Sequence, residues 1–126
     1  MSKTPIRTKK APEAIGPYSQ GIAAAGLVFT SGQLPMDMAT GELERNDIKA
    51  ATRHCLSNVA AILEAGGASM ADVVKTTVFL TDMALFADVN AAYAEFFGDT
   101  PPARSCIEVA ALPKGALIEI EAVAVK

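Results

Sequence analysis

Apolar residues recur along this chain with two different periods, and the switches between them outline the elements of the fold. Near the C-terminus the period is two. In an extended strand every second side chain shares a face, so Arg104, Cys106 and Glu108 lie together while Ser105, Ile107 and Val109 point the other way. After Pro113-Lys114-Gly115, a turn signal, Ile118, Ile120, Ala122 and Ala124 form a fully apolar face, and Leu117, Glu119, Glu121, Val123 and Val125 form a mixed one. The first is a core face; the second has the pattern of a site or an interface. Period two also runs from Ser19 to Ala24 and from Leu27 to Leu34 across Ala25-Gly26, which predicts a hairpin, and VVKTTVFL from Val73 to Leu80 predicts another strand.

Between these strands the period lengthens to that of a helix. Pro35 to Glu44 reads as a loop, after which Asn46 or Asp47 caps a helix with the stripe Ile48, Ala51, Cys55, Val59, Ile62 and Leu63, stopped by Gly66-Gly67. Cys55 is therefore a core residue, and His54, off the stripe beside Arg53, Ser57 and Asn58, is a solvated one. Thr81-Asp82 caps a second helix with the stripe Met83, Phe86, Val89, Tyr93, Phe96 and Phe97, ending at Gly98. Asn90 falls within that stripe. Its amide needs hydrogen-bond partners, as a clamp on a neighbouring loop or as a helper at a site. The order ββ-α-β-α-ββ predicts an α+β fold, one domain over residues 1–126, in which two helices cover one face of a sheet. Nothing in the chain covers the other, half-apolar face, so further subunits are expected there, with a site lined by Arg104 and Glu119 in the clefts between them.

Composition supports that expectation. With 126 residues, 51% hydrophobic and only 20% charged, the chain is rich in apolar side chains for a small soluble monomer. The net charge of −3 gives no electrostatic footprint for nucleic acid, and no apolar run approaches the length of a membrane span. Neither partner is expected. MSKTPIRTKK carries four basic and no acidic residues but has no apolar h-region, and Pro5 spoils an amphipathic helix, so residues 1–10 read as a flexible basic tail. Cys55 and Cys106 form no C-x-x-C pair and fit reduced thiols in a cytoplasmic protein. A single histidine excludes a multi-histidine metal site.

The polar residues inside strands carry the candidate chemistry. Arg104 starts its strand after Pro101-Pro102-Ala103, a stiff approach that fixes where the guanidinium points. Glu108 shares its face but lies roughly 13 Å away at about 3.3 Å per residue, so the partner of Arg104 comes from another strand, another chain or a ligand. A small carboxylic acid matches the guanidinium fork; an internal ion pair to Glu119 or Glu121 is the structural alternative. A carboxylate in the centre of a strand is held by hydrogen bonds or used for proton transfer, and periodicity does not choose between Glu119 and Glu121. Cys106 is a small apolar filler or a thiolate activated by Arg104. GPYSQG and TSGQLP place Tyr18 and Ser31 hydroxyls beside strands, and Gly32 permits close approach of a ligand or a neighbouring chain. Ordinary turn chemistry accounts for both motifs equally well.

Taken together, GPYSQG, TSGQLP, KTTVFLTDM, FADVNAAYAEFF and above all PARSCIEVAALPKGALIEIEAVAV resemble the RidA/YjgF family of reactive-intermediate deaminases, from about Ala11 to the C-terminus. The resemblance implies a chorismate-mutase-like sheet of about six strands backed by two helices, and a homotrimer with sheets packed inward and sites between subunits. It implies hydrolysis of 2-imino acids and their enamine tautomers, such as 2-aminoacrylate, 2-iminopropanoate and 2-iminobutanoate, to 2-keto acids and ammonia, which protects pyridoxal-phosphate enzymes. By position, Arg104 resembles the residue that grips the substrate carboxylate and Glu119 the one that orients the attacking water. Tyr18, Ser31, Gly32, Asn90 and Cys106 match residues lining the same pocket. No metal or organic cofactor is required, and no thiol nucleophile. Two other readings are a ribonuclease or translation inhibitor, names given to some family members, and a small-carboxylate-binding or holdase-like protein.

Overall fold

The computed structural model describes residues 2–126. Strands β1 (Thr4–Ile6), β2 (Gly21–Ala24) and β3 (Leu27–Thr30) are followed by a small hairpin of β4 (Met36–Asp37) and β5 (Glu42–Leu43), then α1 (Ile48–Ala65), β6 (Val73–Leu80), α2 (Phe86–Ala94), β7 (Ala103–Glu108) and β8 (Ile118–Val125). Six of these strands make one mixed sheet in the order β1-β2-β3-β8-β6-β7. Among the described residues only the β6–β7 pair is parallel, and α2 supplies the crossover that a parallel pair requires. The single-domain α+β architecture expected from the periodicity is therefore present.

Two helices cover one face. Asp47 caps α1 by accepting from the backbone N–H of Lys49 and Ala50, a contribution of about 1 kcal/mol. The expected stripe of α1 is buried throughout, against Val28 of β3 and Ile118, Ile120, Ala122 and Ala124 of β8. Leu56, Ile62, Leu63, Ile118 and Ile120 are among the largest fully buried side chains, each worth about 1.5–3 kcal/mol relative to exposure. Between β2 and β3, Ala25 and Gly26 have φ of 54° and 76°, the left-handed pair that a tight hairpin turn demands.

Three expectations are corrected. Residues 1–10 are not a flexible tail as a whole, because β1 pairs antiparallel with β2 and buries Ile6. Gln20 fixes the segment that follows: its amide donates to the carbonyls of Thr8, Ala11 and Pro12 and accepts from Thr8 N–H. Within the span read as a loop, Met36 and Asp37 pair with Leu43 and Glu42. Asn58 is not on the solvated side of α1; it is buried and donates to the carbonyls of Leu34 and Met36, tying that hairpin to the helix. His54 is half-exposed beside Asp37, with 3.9 Å between Nε2 and Oδ2.

On the other face of the sheet no helix lies among the described residues. Leu27, Phe29, Phe79, Ile107, Val123 and Val125 occupy it together with Lys75, Glu119 and Glu121. Phe29, Ile107 and Val125 are 40%, 45% and 47% exposed, which is high for large apolar side chains on a sheet.

Candidate active site

Strand register decides which candidates meet. In the ladder, Thr76 of β6 stands opposite Arg104 of β7 and Ala122 of β8, so Arg104 points to the helix-covered face. Phe79 stands opposite Glu119, which points to the open face. Within one chain the two residues are thus on opposite sides of the sheet, two strands apart and offset by roughly 10 Å along the strand direction. The sequence-derived candidates form two separate groups.

The first group surrounds Arg104 on β7, an edge strand. Arg104 Nη1 donates to Asn90 Oδ1 at 2.7 Å, and the guanidinium carbon lies 4.9 Å from the centroid of the Tyr93 ring and 5.3 Å from that of Phe86. Among the described residues the Asn90 amide thus partners Arg104, and no bond from it to a neighbouring loop is present. The internal ion pair to Glu119 or Glu121 is not made, and Arg104 has no carboxylate partner among the described residues. A cleft of about 460 Å³ opens beside it, lined by Asn90, Tyr93, Phe97, Pro101, Pro102 and Arg104. Cys106 shares this face two residues on, and burial pushes its thiol pKa up with Arg104 only partly opposing. That favours a neutral filler over a thiolate. Glu108, third on the same face, accepts from Met83 N–H at 2.7 Å and holds the turn leading into α2.

The second group lies where β3 parts from β8. Phe29 pairs with Val123, and the next bridge joins Gln33 to Ile120, so four steps on one side span three on the other. One extra residue makes a bulge, a common device beside functional sites for re-aiming a side chain. Thr30 Oγ1 bridges the gap by accepting from Ala122 N–H. Ser31 N–H donates to the Gln20 carbonyl and Ser31 Oγ to that of Ser19, bringing the GPYSQG segment with exposed Tyr18 alongside. Gly32 sits against Glu119. A Cβ at Gly32 would stand 2.7 Å from Glu119 Cδ and collide with its carboxylate oxygen, so the group that approaches Gly32 closely is this acid of the same chain, where the sequence suggested a ligand or a neighbouring chain. Burial raises the Glu119 pKa, and the neighbouring Glu121 raises it further.

Tyr93, Phe86 and Thr76 were missed as site residues because each fits a core stripe or a β-rich run. Thr76 carried the one usable signal, since it is a hydroxyl in the apolar phase of VVKTTVFL.

Three comparisons bear on what the two groups do. The family model described as endoribonuclease L-PSP matches residues 8–126. The 2-iminobutanoate/2-iminopropanoate deaminase of Salmonella typhimurium is 54% identical over all of this chain and 99% of its own length. A RutC family protein of Pyrococcus horikoshii is also 54% identical, over 98% of each chain. Among solved structures, Escherichia coli TdcF with bound serine superposes with a TM-score of 0.92 at 48% identity, covering 98% of each chain.

Proposed function

The chain belongs to the endoribonuclease L-PSP family, the RidA/YjgF family, and we propose that within it the protein hydrolyses small 2-imino acids and their enamine tautomers to 2-keto acids and ammonia. The observation that carries this reading is a guanidinium held by Asn90 and two aromatic rings, beside an open cleft, with no carboxylate among the described residues to neutralise it. Such a group is prepared for an anionic ligand. Serine bound to TdcF is a small carboxylate on a closely similar fold. The deaminase names among full-length relatives supply the reaction class.

Assembly completes the site in this reading. The uncovered apolar face and the separation of Arg104 from Glu119 are both resolved if subunits pack by their open faces as a homotrimer. Arg104, Asn90 and Cys106 of one protomer then meet Tyr18, Ser31, Gly32 and Glu119 of the next.

Chemistry follows from the groups present. Arg104 grips the carboxylate and places the adjacent C=N carbon near a water held by the glutamate. Protonation of the nitrogen makes that carbon more electrophilic. The water oxygen adds to it while Glu119 accepts a proton from the water; the carbinolamine then collapses, breaking the C–N bond, and nitrogen leaves as ammonia with the proton it gains. A raised pKa suits an acid that must both take up and return a proton near neutrality. Free imines hydrolyse unaided, so positioning is the main contribution.

The test couples the purified protein to a serine or threonine dehydratase and follows loss of the enamine and imine absorbance against keto acid and ammonia release. Arg104→Ala is expected to lower kcat/KM on the order of 100-fold or more, the scale of losing a paired charge, while the assembly is retained. Full activity in that variant would overturn the carboxylate assignment. Saturable 2-keto acid binding without ammonia release would favour a binding protein, and metal-free cleavage of RNA the ribonuclease reading.

A further inference from the structure

We propose that Tyr93, braced by Thr76, is a positioning residue that sets the orientation of the Arg104 guanidinium without neutralising its charge. The inference rests on the reading of Arg104 as the carboxylate grip. Phe86, Asn90 and Tyr93 stand at i, i+4 and i+7 of α2 and so share one face of the helix, which presents ring, amide and ring in succession to Arg104. The guanidinium lies within cation–π range of both rings and donates edge-on to the amide. Its other N–H groups have no partner among the described residues.

Tyr93 is itself fixed at two points. Its hydroxyl shares a 2.6 Å hydrogen bond with Thr76 Oγ1, and both residues are buried. Its ring packs on Phe97 at 4.7 Å between centroids. Thr76 is the residue directly opposite Arg104 in the β6–β7 ladder. A closed loop results, from Arg104 across the strand pair to Thr76, through its hydroxyl to Tyr93, and from that ring back to the guanidinium. Burial keeps the phenol pKa above its ordinary value, so the ring remains neutral and does not become an ion-pair partner. An aspartate or glutamate in its place would orient Arg104 equally well and would compete with the substrate. Rings and an amide hold the fork in place and leave its charge available.

The test uses the full chain in its native assembly and two measurements that report separately. Arginine Nε–H resonances in 15N-labelled protein report the clamp with no ligand present. Calorimetric titration with 2-oxobutanoate, together with KM and kcat in the coupled assay, reports its use. Tyr93→Leu is expected to move the Arg104 Nε–H resonance toward that of a solvated arginine, and to weaken 2-oxobutanoate binding and raise KM about tenfold with a smaller change in kcat. Tyr93→Phe, which keeps the ring, recovers most of the affinity. Thr76→Val keeps ring and volume and lies between the two, and it carries the test if Tyr93→Leu does not fold. An unmoved resonance with affinity within twofold of wild type in Tyr93→Leu, or in Thr76→Val where Tyr93→Leu does not fold, would overturn the proposal. A wild type that shows the shifted resonance but releases no ammonia would overturn the deaminase reading and leave the clamp standing.

Discussion

The two groups of candidate residues differ in how much of their surroundings the chain itself supplies. Around Arg104 the scaffold is closed: α2 lays rings and an amide on the guanidinium, and a cleft stands open beside it. Around Glu119 the scaffold is half a scaffold. The bulge at Ser31-Gly32 aims the carboxylate, yet it points onto a sheet face where Phe29 and Val125 lie exposed. One region is organised by its own helix layer, and the other is left open by the described residues. The contrast teaches that, in the assembly proposed above, the uncovered face and the unfinished acid group share one solution, a second copy.

The largest effect should come from denying that solution. Phe29→Asp puts a charge on the open face at a position already 40% exposed in the single chain, so the fold is expected to tolerate it while the proposed subunit packing is not. The expected outcome is a folded monomer by analytical ultracentrifugation, with unchanged far-ultraviolet circular dichroism and kcat/KM reduced on the order of 1000-fold, because both halves of the site are parted. A monomer that deaminates at the wild-type rate would show that one half suffices.

A smaller effect should follow from disturbing the acid group alone. In Gly32→Ala the new methyl meets the Glu119 carboxylate, and the glutamate must rotate away. Since Gly32 is not in the left-handed region, the cost is steric crowding at the acid and not backbone strain. Activity is expected to fall about tenfold through kcat, with 2-oxobutanoate affinity nearly unchanged because Arg104 is untouched. Equal losses in affinity and kcat would mean that the two groups are not separable in this way.

The same contrast explains what could be seen from sequence. Within an element, periodicity is local information, and it located the stripe of α1, the alternation of β8 and the strand VVKTTVFL from residue identity alone. The strand pattern singled out Arg104 and the resemblance chose Glu119 over Glu121, but their relation depends on how β7 and β8 each register against β6, a non-local pairing that no period encodes. Residues 4–6 looked solvated because only Ile6 is apolar and buried there; the strand forms because β2 offers a free edge and Gln20 pins the following segment. Asn58 was misplaced for a related reason. Its amide is buried by the carbonyls of a distant hairpin, which a helical wheel does not contain.

The smallest expected effect concerns pH and separates the two acids that alternation placed side by side. Burial is the larger cause of the raised Glu119 pKa and the Glu121 charge the second. In its proposed role of general base Glu119 must be ionised, so activity falls as pH drops through its raised pKa, starting at higher pH than for an ordinary glutamate. Glu121→Gln removes the second cause only. The acid limb of the kcat/KM profile should move to lower pH, with the plateau nearly unchanged. Folding carries the opposite dependence. A raised folded-state pKa means that Glu119 favours the folded chain most below its unfolded pKa, and this contribution is lost as pH rises through the folded one. Glu121→Gln should narrow that window in denaturant titrations across pH. An acid limb that stays fixed in Glu121→Gln would place the titrating group elsewhere and remove Glu119 from the role of base.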